Sequence, residues 1–239
     1  GGLPMWLSII LVLVLTVVLG VVIERVAYKP LRSSPRMSVM ISAIGVSYLL
    51  QNCALYFTGG LPRSYPVIPF LTKSVKIWGA TTKMVTVVTP ILTILLVIVL
   101  VLLIKYTKIG MAMRAVSKDF ETSQLMGIKI NSVISFTFVI GCFLAAVGSM
   151  LYFSNYTSVI PTSGAMPGLK AFVAAVFGGI GSIPGAVIGA FIIGICENII
   201  RSFGQDWTVF SDAFTFVLLI VVLLVKPTGI FGEKATDKV

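Results

Sequence analysis

The sequence predicts an all-α, polytopic integral membrane protein with about six to eight membrane helices, one of them broken by glycine and proline. Three observations carry this. Of the 239 residues 57% are hydrophobic and 11% charged, with a mean hydropathy of +1.06, well beyond the roughly half-apolar, quarter-charged make-up of soluble domains. Charge-free runs of about 20 residues recur, each long enough to cross a bilayer as a helix. The 18 Lys and Arg exceed the 8 Asp and Glu and fall almost entirely between those runs, so the excess reads as topology and not as a nucleic-acid surface.

Taken in order, residues 3–23, 37–57, 84–104 and 130–153 are uncharged spans. The run 168–200 is unusually long and glycine-rich, and 207–225 carries Asp212 near its start. Together they form a single transmembrane domain over 1–239. Its loop 105–129 is the most basic of the loops, holding Lys105, Lys108, Arg114, Lys118 and Lys129. Basic loops stay on the cytoplasmic side, which places 24–36, 105–129 and the tail after 225 inside with twelve Lys and Arg, against six in the other loops. Loop 58–83 fits least well, because it holds Arg63, Lys73, Lys76 and Lys83.

This orientation requires 168–200 to cross an even number of times or not at all, since one crossing would put the tail outside. The stretch "GGIGSIPG" at 178–185 breaks any helix and predicts two half-length helices, either re-entrant or a pair of short tilted spans. Irregular backbone at membrane depth is tolerated where it is buried in protein or lines a cavity. Gly178, Gly179, Gly181 and Ser182 are therefore candidates for a translocation path. Gly181, Gly185 and Gly189, spaced by four, equally suit a close helix-packing seam.

In the second span, Ser38, Ser42, Gly45, Asn52 and Tyr56 share one stripe with Gln51 beside it, and such a stripe faces protein or water. Ser42, Gly45, Gln51 and Asn52 are path candidates, with interhelical hydrogen bonding as the plainer role. Gly141, Ala145 and Ser149 predict a packing seam. Glu24, Arg25, Tyr28 and Lys29 read as interfacial anchors, and Asp206 and Asp212 near Trp207 read as an outer loop. No charge sits at the centre of a confident span, which argues against an ion-coupled carrier, although such sites can be built from carbonyls and hydroxyls.

Several chemistries are excluded. The chain has no histidine, which removes Ser-His-Asp triads, Cys-His pairs and histidine metal sites. It has no Gly-x-x-x-x-Gly-Lys-Ser/Thr loop, so any ATP is bound by another chain. Cys53, Cys142 and Cys196 lie singly in apolar runs and read as small packing residues. The sequence opens at Gly1 without a charged n-region, so no cleavable signal peptide is read, and earlier spans are expected to be missing.

The polar segment "SKDFETSQLMGIKINSV" at 117–133 stands between apolar blocks. Ser117 suits an N-cap, Asp119 and Glu121 suit the positive end of a helix, and Gly127 suits its termination, which predicts a short helix over about 118–126. Its apolar face is weak, so it is built to contact protein and not a membrane surface.

Glu121, Thr122, Ser123, three residues and Gly127 resemble the Glu-Ala-Ala-x-x-x-Gly cytoplasmic motif of ABC-importer permeases, with Thr122 and Ser123 in place of the alanines. "ERVAYKPLR" at 24–32, "ISAIGVSYLLQN" at 41–52, "KIGMAMRAVSKDFETSQLMGI" at 108–128, "GGIGSIPGAVIGA" at 178–190 and "KPTGIFGE" at 226–233 are similar, in order, to the branched-chain amino acid permease family of the LivH type. The resemblance implies a non-enzymatic permease subunit in the plasma (inner) membrane, with about two further spans before Gly1. It implies three kinds of partner besides membrane lipid: ABC ATPase subunits, a second related permease and an extracytoplasmic solute-binding protein. No cofactor is expected on this chain, ATP being held by the ATPase. Ser117, Asp119, Glu121, Thr122, Ser123 and Gly127 would then couple the membrane helices to that ATPase. The rival class is an ion-coupled secondary transporter or channel for a small polar solute.

Overall fold

The computed structural model describes residues 4–31, 36–66, 72–77, 80–179, 181–204, 210–226 and 229–232. Leu3, Arg32, Ile180, Asp206, Trp207, Lys234 and Lys238 lie outside them. The chain divides into two compact units, Gly1–Pro161 and Thr162–Val239.

In the first unit α1 (Met5–Ile23) continues into a π-helical turn, Glu24–Tyr28, followed by α2 (Arg36–Thr58), α3 (Met84–Tyr106), α4 (Lys108–Lys118), α5 (Phe120–Leu125) and α6 (Ile130–Asn155). The second unit holds α7 (Ala165–Gly178), α8 (Ile183–Ser202) and α9 (Ser211–Val225). Among the described residues four helices can cross a membrane by length and composition: Met5–Tyr28, Met84–Tyr106, Ile130–Asn155 and Ile183–Ser202. The helix α2 has the length at 23 residues but is less apolar, and α7 and α9 are shorter apolar helices. The predicted all-α membrane class therefore holds.

The described parts of loop 58–83 carry strands that the sequence reading does not predict. Strands β2 (Ser74–Ile77) and β3 (Ala80–Lys83) pair antiparallel, with Ser74 opposite Lys83. A second ladder joins β1 (Arg63–Ser64) to β4 (Ser158–Val159). The Met84 amide donates to the Lys73 carbonyl at 2.9 Å, and Lys83 Nζ donates to the Asn155 carbonyl at 3.5 Å, so one basic side chain here serves local structure. Tyr65 packs near the Phe153 ring at 6.1 Å, and burial raises its hydroxyl pKa.

The helices α1 and α6 pack because Gly20 is buried against Cys142, where any Cβ would collide with the sulfur. Further along the same pair, the Tyr28 ring packs tilted against Phe138 with centroids 5.2 Å apart. Glu24 corrects the reading of this end as interfacial anchors. It is 1% exposed and accepts a hydrogen bond from the Ser135 hydroxyl at 2.9 Å. The π-helical turn begins at this residue, a departure common where a helix positions a functional or buried group. Glu24→Leu is expected to lower the thermal midpoint of the purified protein by removing the acceptor Ser135 uses, a loss of about 1–3 kcal/mol. Glu24→Gln, which keeps an acceptor oxygen, is expected to lose less. Equal midpoints for the two variants would sink this account.

The expected seam of Gly141, Ala145 and Ser149 is not where α6 packs. Those residues are exposed, and nothing stands within 4 Å of where a Cβ on Gly141 would lie. The packed face carries Val133, Ser135, Phe138, Cys142 and Ala146 instead.

In the second unit α7 and α8 form the hairpin that the "GGIGSIPG" break predicts, but its arms are unequal. The 20 residues of α8 span about 30 Å and the 14 of α7 about 21 Å at 1.5 Å per residue. Val173, Ala174, Phe177 and Ile193 make the core between them, with Phe216, Leu219 and Val222 of α9 packed against it.

Candidate functional site

Three places hold the sequence-predicted residues: the segment joining α3 to α6, the closed end of the α7–α8 hairpin, and a stripe on α2.

The first is built from three local stops. Thr107 ends α3 with extended backbone and caps α4, its hydroxyl oxygen accepting from the Gly110 amide at 3.0 Å. Asp119, at φ −151° and ψ 110°, separates α4 from α5, and its Oδ1 accepts from the Thr122 amide at 3.1 Å. Asp119 is therefore the N-cap of the short helix. Ser117 lies in the last turn of α4, where its hydroxyl donates to the Arg114 carbonyl at 2.9 Å, so the expected N-cap moves by two residues. A carboxylate two positions on captures the orphan amide better than a hydroxyl still inside a helix.

The far end of α5 closes as a Schellman turn. The Gly127 amide donates to the Gln124 carbonyl at 3.0 Å and the Ile128 amide to the Ser123 carbonyl at 3.1 Å, with Gly127 at φ +80°. That is the 5→2 and 6→1 pair a left-handed glycine makes possible, and it agrees with Gly127 as terminator. Ser123 is buried, its hydroxyl bonded to the Asp119 carbonyl at 2.6 Å, whereas Glu121 and Thr122 are exposed. Leu125 and Met126 are 87% and 79% exposed. On a polar segment outside the spans, these two apolar side chains have no partner that lipid would supply. Beside them a recess of about 430 Å³ is lined by residues of α5 and the start of α6, among them Phe120, Gln124, Lys129 and Asn131.

At the hairpin end, Gly178 is buried against the backbone of Gly185 and Ala186, and a Cβ on Gly189 would lie 2.7 Å from the Ala174 carbonyl oxygen. The segment Gly229–Gly232 lies over the same end. The Ile230 amide donates to the Phe177 carbonyl at 3.0 Å and the Phe231 amide to the Gly178 carbonyl at 2.9 Å. These bonds satisfy the orphan carbonyls at the C-terminus of α7. Gly179, at φ +112°, touches Gly229 and Gly232. Ser182 caps α8, accepting from the Gly185 amide at 3.2 Å, and Gly181, at φ +98°, is exposed with nothing within 4 Å of a Cβ. Of the three glycines spaced by four, Gly185 and Gly189 pack and Gly181 makes the turn.

The stripe on α2 is open. Gly45 and Asn52 are exposed, with Ser42 and Gln51 half-buried. Asn52 Nδ2 donates to the Tyr48 carbonyl at 2.8 Å, and Gln51 Nε2 to the Ser47 hydroxyl at 3.1 Å, so both amides bond to their own helix.

Sequence reasoning missed a charged cluster in the second unit. Lys170 Nζ on α7 lies 2.6 Å from Glu197 Oε1 on α8 and 2.7 Å from Asp212 Oδ1 on α9, and Arg201 pairs with Glu197 one turn along α8. The signal was present, since each of these ions interrupts an apolar stretch. Among the described residues no group of three or more His, Cys, Asp or Glu could hold a metal.

A sequence profile described as the branched-chain amino acid transport system / permease component matches residues 1–223. The chain is 40% identical, over 91% of its own length and 71% of the relative's, to the high-affinity branched-chain amino acid transport system permease protein LivH of Salmonella typhimurium. It is 38% identical to BraD of Pseudomonas aeruginosa, a permease protein of the same description, over 95% and 74%. A more distant similarity, 32% over 51% of the chain and 39% of the relative, is to the ribose import permease protein RbsC of Haemophilus influenzae. No solved structure matches.

Proposed function

The chain belongs to the branched-chain amino acid permease family and is a multi-pass permease subunit of an ABC importer; from that premise we propose that α5 is the piece through which an ATPase subunit moves the membrane helices. One observation carries this: Leu125 and Met126 stand exposed on a short helix capped at both ends and joined at either side to a longer element. A helix whose ends are fixed by Asp119 and Gly127 transmits a push with little lost to bending. ATP-driven closure of the ATPase pair would bias the permease between outward- and inward-open states, a population shift set by nucleotide.

ATP would bind to the partner and no cofactor to this chain. The substrate would be leucine, isoleucine or valine, following the names of its relatives. A second permease would complete the path and a solute-binding protein would select the cargo, so the path itself need only be permissive. Ser42, Gly45, Gln51 and Asn52 suit such a weakly polar route, as does Gly181 with Ser182. Within the second unit, Gly178 and Gly179 would hold the backbone beside Gly181 and Ser182 from a packed position.

In reconstituted vesicles with its ATPase and binding protein, Glu121→Lys and Gly127→Val are expected to lower amino acid uptake per ATP hydrolysed by about tenfold. That is the loss of one interface contact worth about 1.4 kcal/mol. Gly127→Asn, tolerated in left-handed backbone, is expected to stay near wild type. Unchanged coupling in Glu121→Lys and Gly127→Val would refute the role of α5, and uptake on an ion gradient without ATP would favour the secondary-carrier reading.

A further inference from the structure

We infer that α4 is a binding surface for anionic phospholipid headgroups at the cytoplasmic leaflet, an inference that rests on the cytoplasmic placement of 105–129. The helix starts one residue after α3 ends. The corner is rigid, because Gly110 is buried against the Leu103 and Ile104 carbonyls with no room for a side chain. Tyr106, at the last turn of α3, is 70% exposed, and Lys105 Nζ sits 5.6 Å from its ring centre. An aromatic ring and a lysine at the end of an apolar helix mark the headgroup level. The surface of α4 is thereby held at that level.

Its composition is that of an interfacial helix. Lys108, Arg114 and Lys118 share one exposed face, while Ile109, Met113 and Val116 share another. The helix contains no acidic residue, and among the described residues none of Lys105, Lys108, Arg114 and Lys118 forms a salt bridge. A face that carries three cations and no carboxylate of its own, with Asp119 and Glu121 lying past its end, calls for an anionic partner. Lipid fits better than an acidic protein, because the apolar Met111 lies exposed among the charges and Ile109 is exposed on the neighbouring face. In a headgroup layer those side chains reach acyl chains while the ammonium and guanidinium groups reach phosphate.

The test uses the full chain with its partner subunits, extracted from vesicles of phosphatidylcholine containing phosphatidylglycerol, with retained lipid counted by native mass spectrometry. The wild type is expected to keep phosphatidylglycerol over phosphatidylcholine, and the triple variant Lys108→Gln/Arg114→Gln/Lys118→Gln to lose that preference by roughly tenfold or more, given three charges near the surface. Lys73→Gln/Lys76→Gln, in the opposite loop, is expected to keep it. Arg114 Nη2 donates to the Lys105 carbonyl at 3.2 Å, so the thermal midpoint of the triple variant in detergent alone is expected to fall slightly. Lys108→Gln/Lys118→Gln, whose side chains are exposed, is expected to match wild type there and to lose most of the lipid preference. Equal phosphatidylglycerol retention in wild type and triple variant would overturn the inference. So would loss of the ATPase subunit from the triple variant in detergent with lipid retention unchanged, which would assign the face to protein. In a background with the three native cysteines replaced, Ser117→Cys is expected to react with an impermeant maleimide only in inside-out vesicles. Reaction from the outside would overturn the orientation itself, a failure separable from that of the lipid contact.

Discussion

Gly178→Val is expected to open the α7–α8 hairpin and lower stability by about 3 kcal/mol, the upper range for forcing extra volume into a packed site. A Cβ at this position meets backbone on the facing helix, including the Ala186 amide nitrogen at 2.6 Å. Backbone cannot rotate aside as a side chain can, so the helices must separate. That separation would strip contacts from Val173, Phe177 and Ile193 as well. Gly179→Ala is expected to fail for two reasons, the +112° φ and the contact with Gly232. Gly141→Ala and Gly194→Ala, with nothing within 4 Å, are expected to be silent. Thermal midpoints of the four purified variants check the ordering, and a Gly178→Val protein as stable as Gly141→Ala would refute the close-packed hairpin.

Lys170→Met is expected to cost about 2 kcal/mol, between the value of an exposed ion pair and that of a fully buried one. The side chains of Lys170, Glu197 and Asp212 are 22%, 13% and 40% exposed, so water screens the cluster without dissolving it. Losing Lys170 leaves Asp212 facing Glu197, whose remaining counter-charge is Arg201. The second substitution in Lys170→Met/Glu197→Met is therefore expected to recover part of the loss, and a double-mutant cycle measures the coupling. A coupling near zero would show the cluster to be incidental. Because one amine joins α7, α8 and α9, the same variant is expected to broaden protease sensitivity across all three helices.

The legible part of the fold was whatever depends on neighbours in sequence. Apolar runs gave the spans, "GGIGSIPG" gave the hairpin break, and Gly127 gave the end of α5, because hydropathy and left-handed backbone are local properties. The cap of α5 was read at Ser117 and lies at Asp119, within the slack of any boundary drawn from propensity. Contacts distant in sequence were not legible. Glu24 looked like an anchor at the end of a span because its partner, Ser135, lies on α6. The small stripe of Gly141, Ala145 and Ser149 has the right spacing for a seam, yet α6 presents its neighbouring face to α1. At the hairpin end, nothing in residues 178–185 announces that residues 229–232 will lie over them. The strands of loop 58–83 were missed because four-residue runs such as "SVKI" and "ATTK" carry too few alternations to stand out from turn sequence.

The bonds from Ile230 and Phe231 to α7 also impose an order on biosynthesis. When the ribosome has made Gly178, the last carbonyls of α7 have no donor from this chain, and none arrives until about fifty further residues have been added. At about 5–20 residues per second that interval lasts several seconds. During it α7 and α8 form an incomplete pair, with the last carbonyls of α7 left without their donors from 229–232. The hairpin can collapse on its glycines early, but its end is closed only by segment 229–232, so maturation of the second unit is gated by the progress of translation and not by its own helix formation.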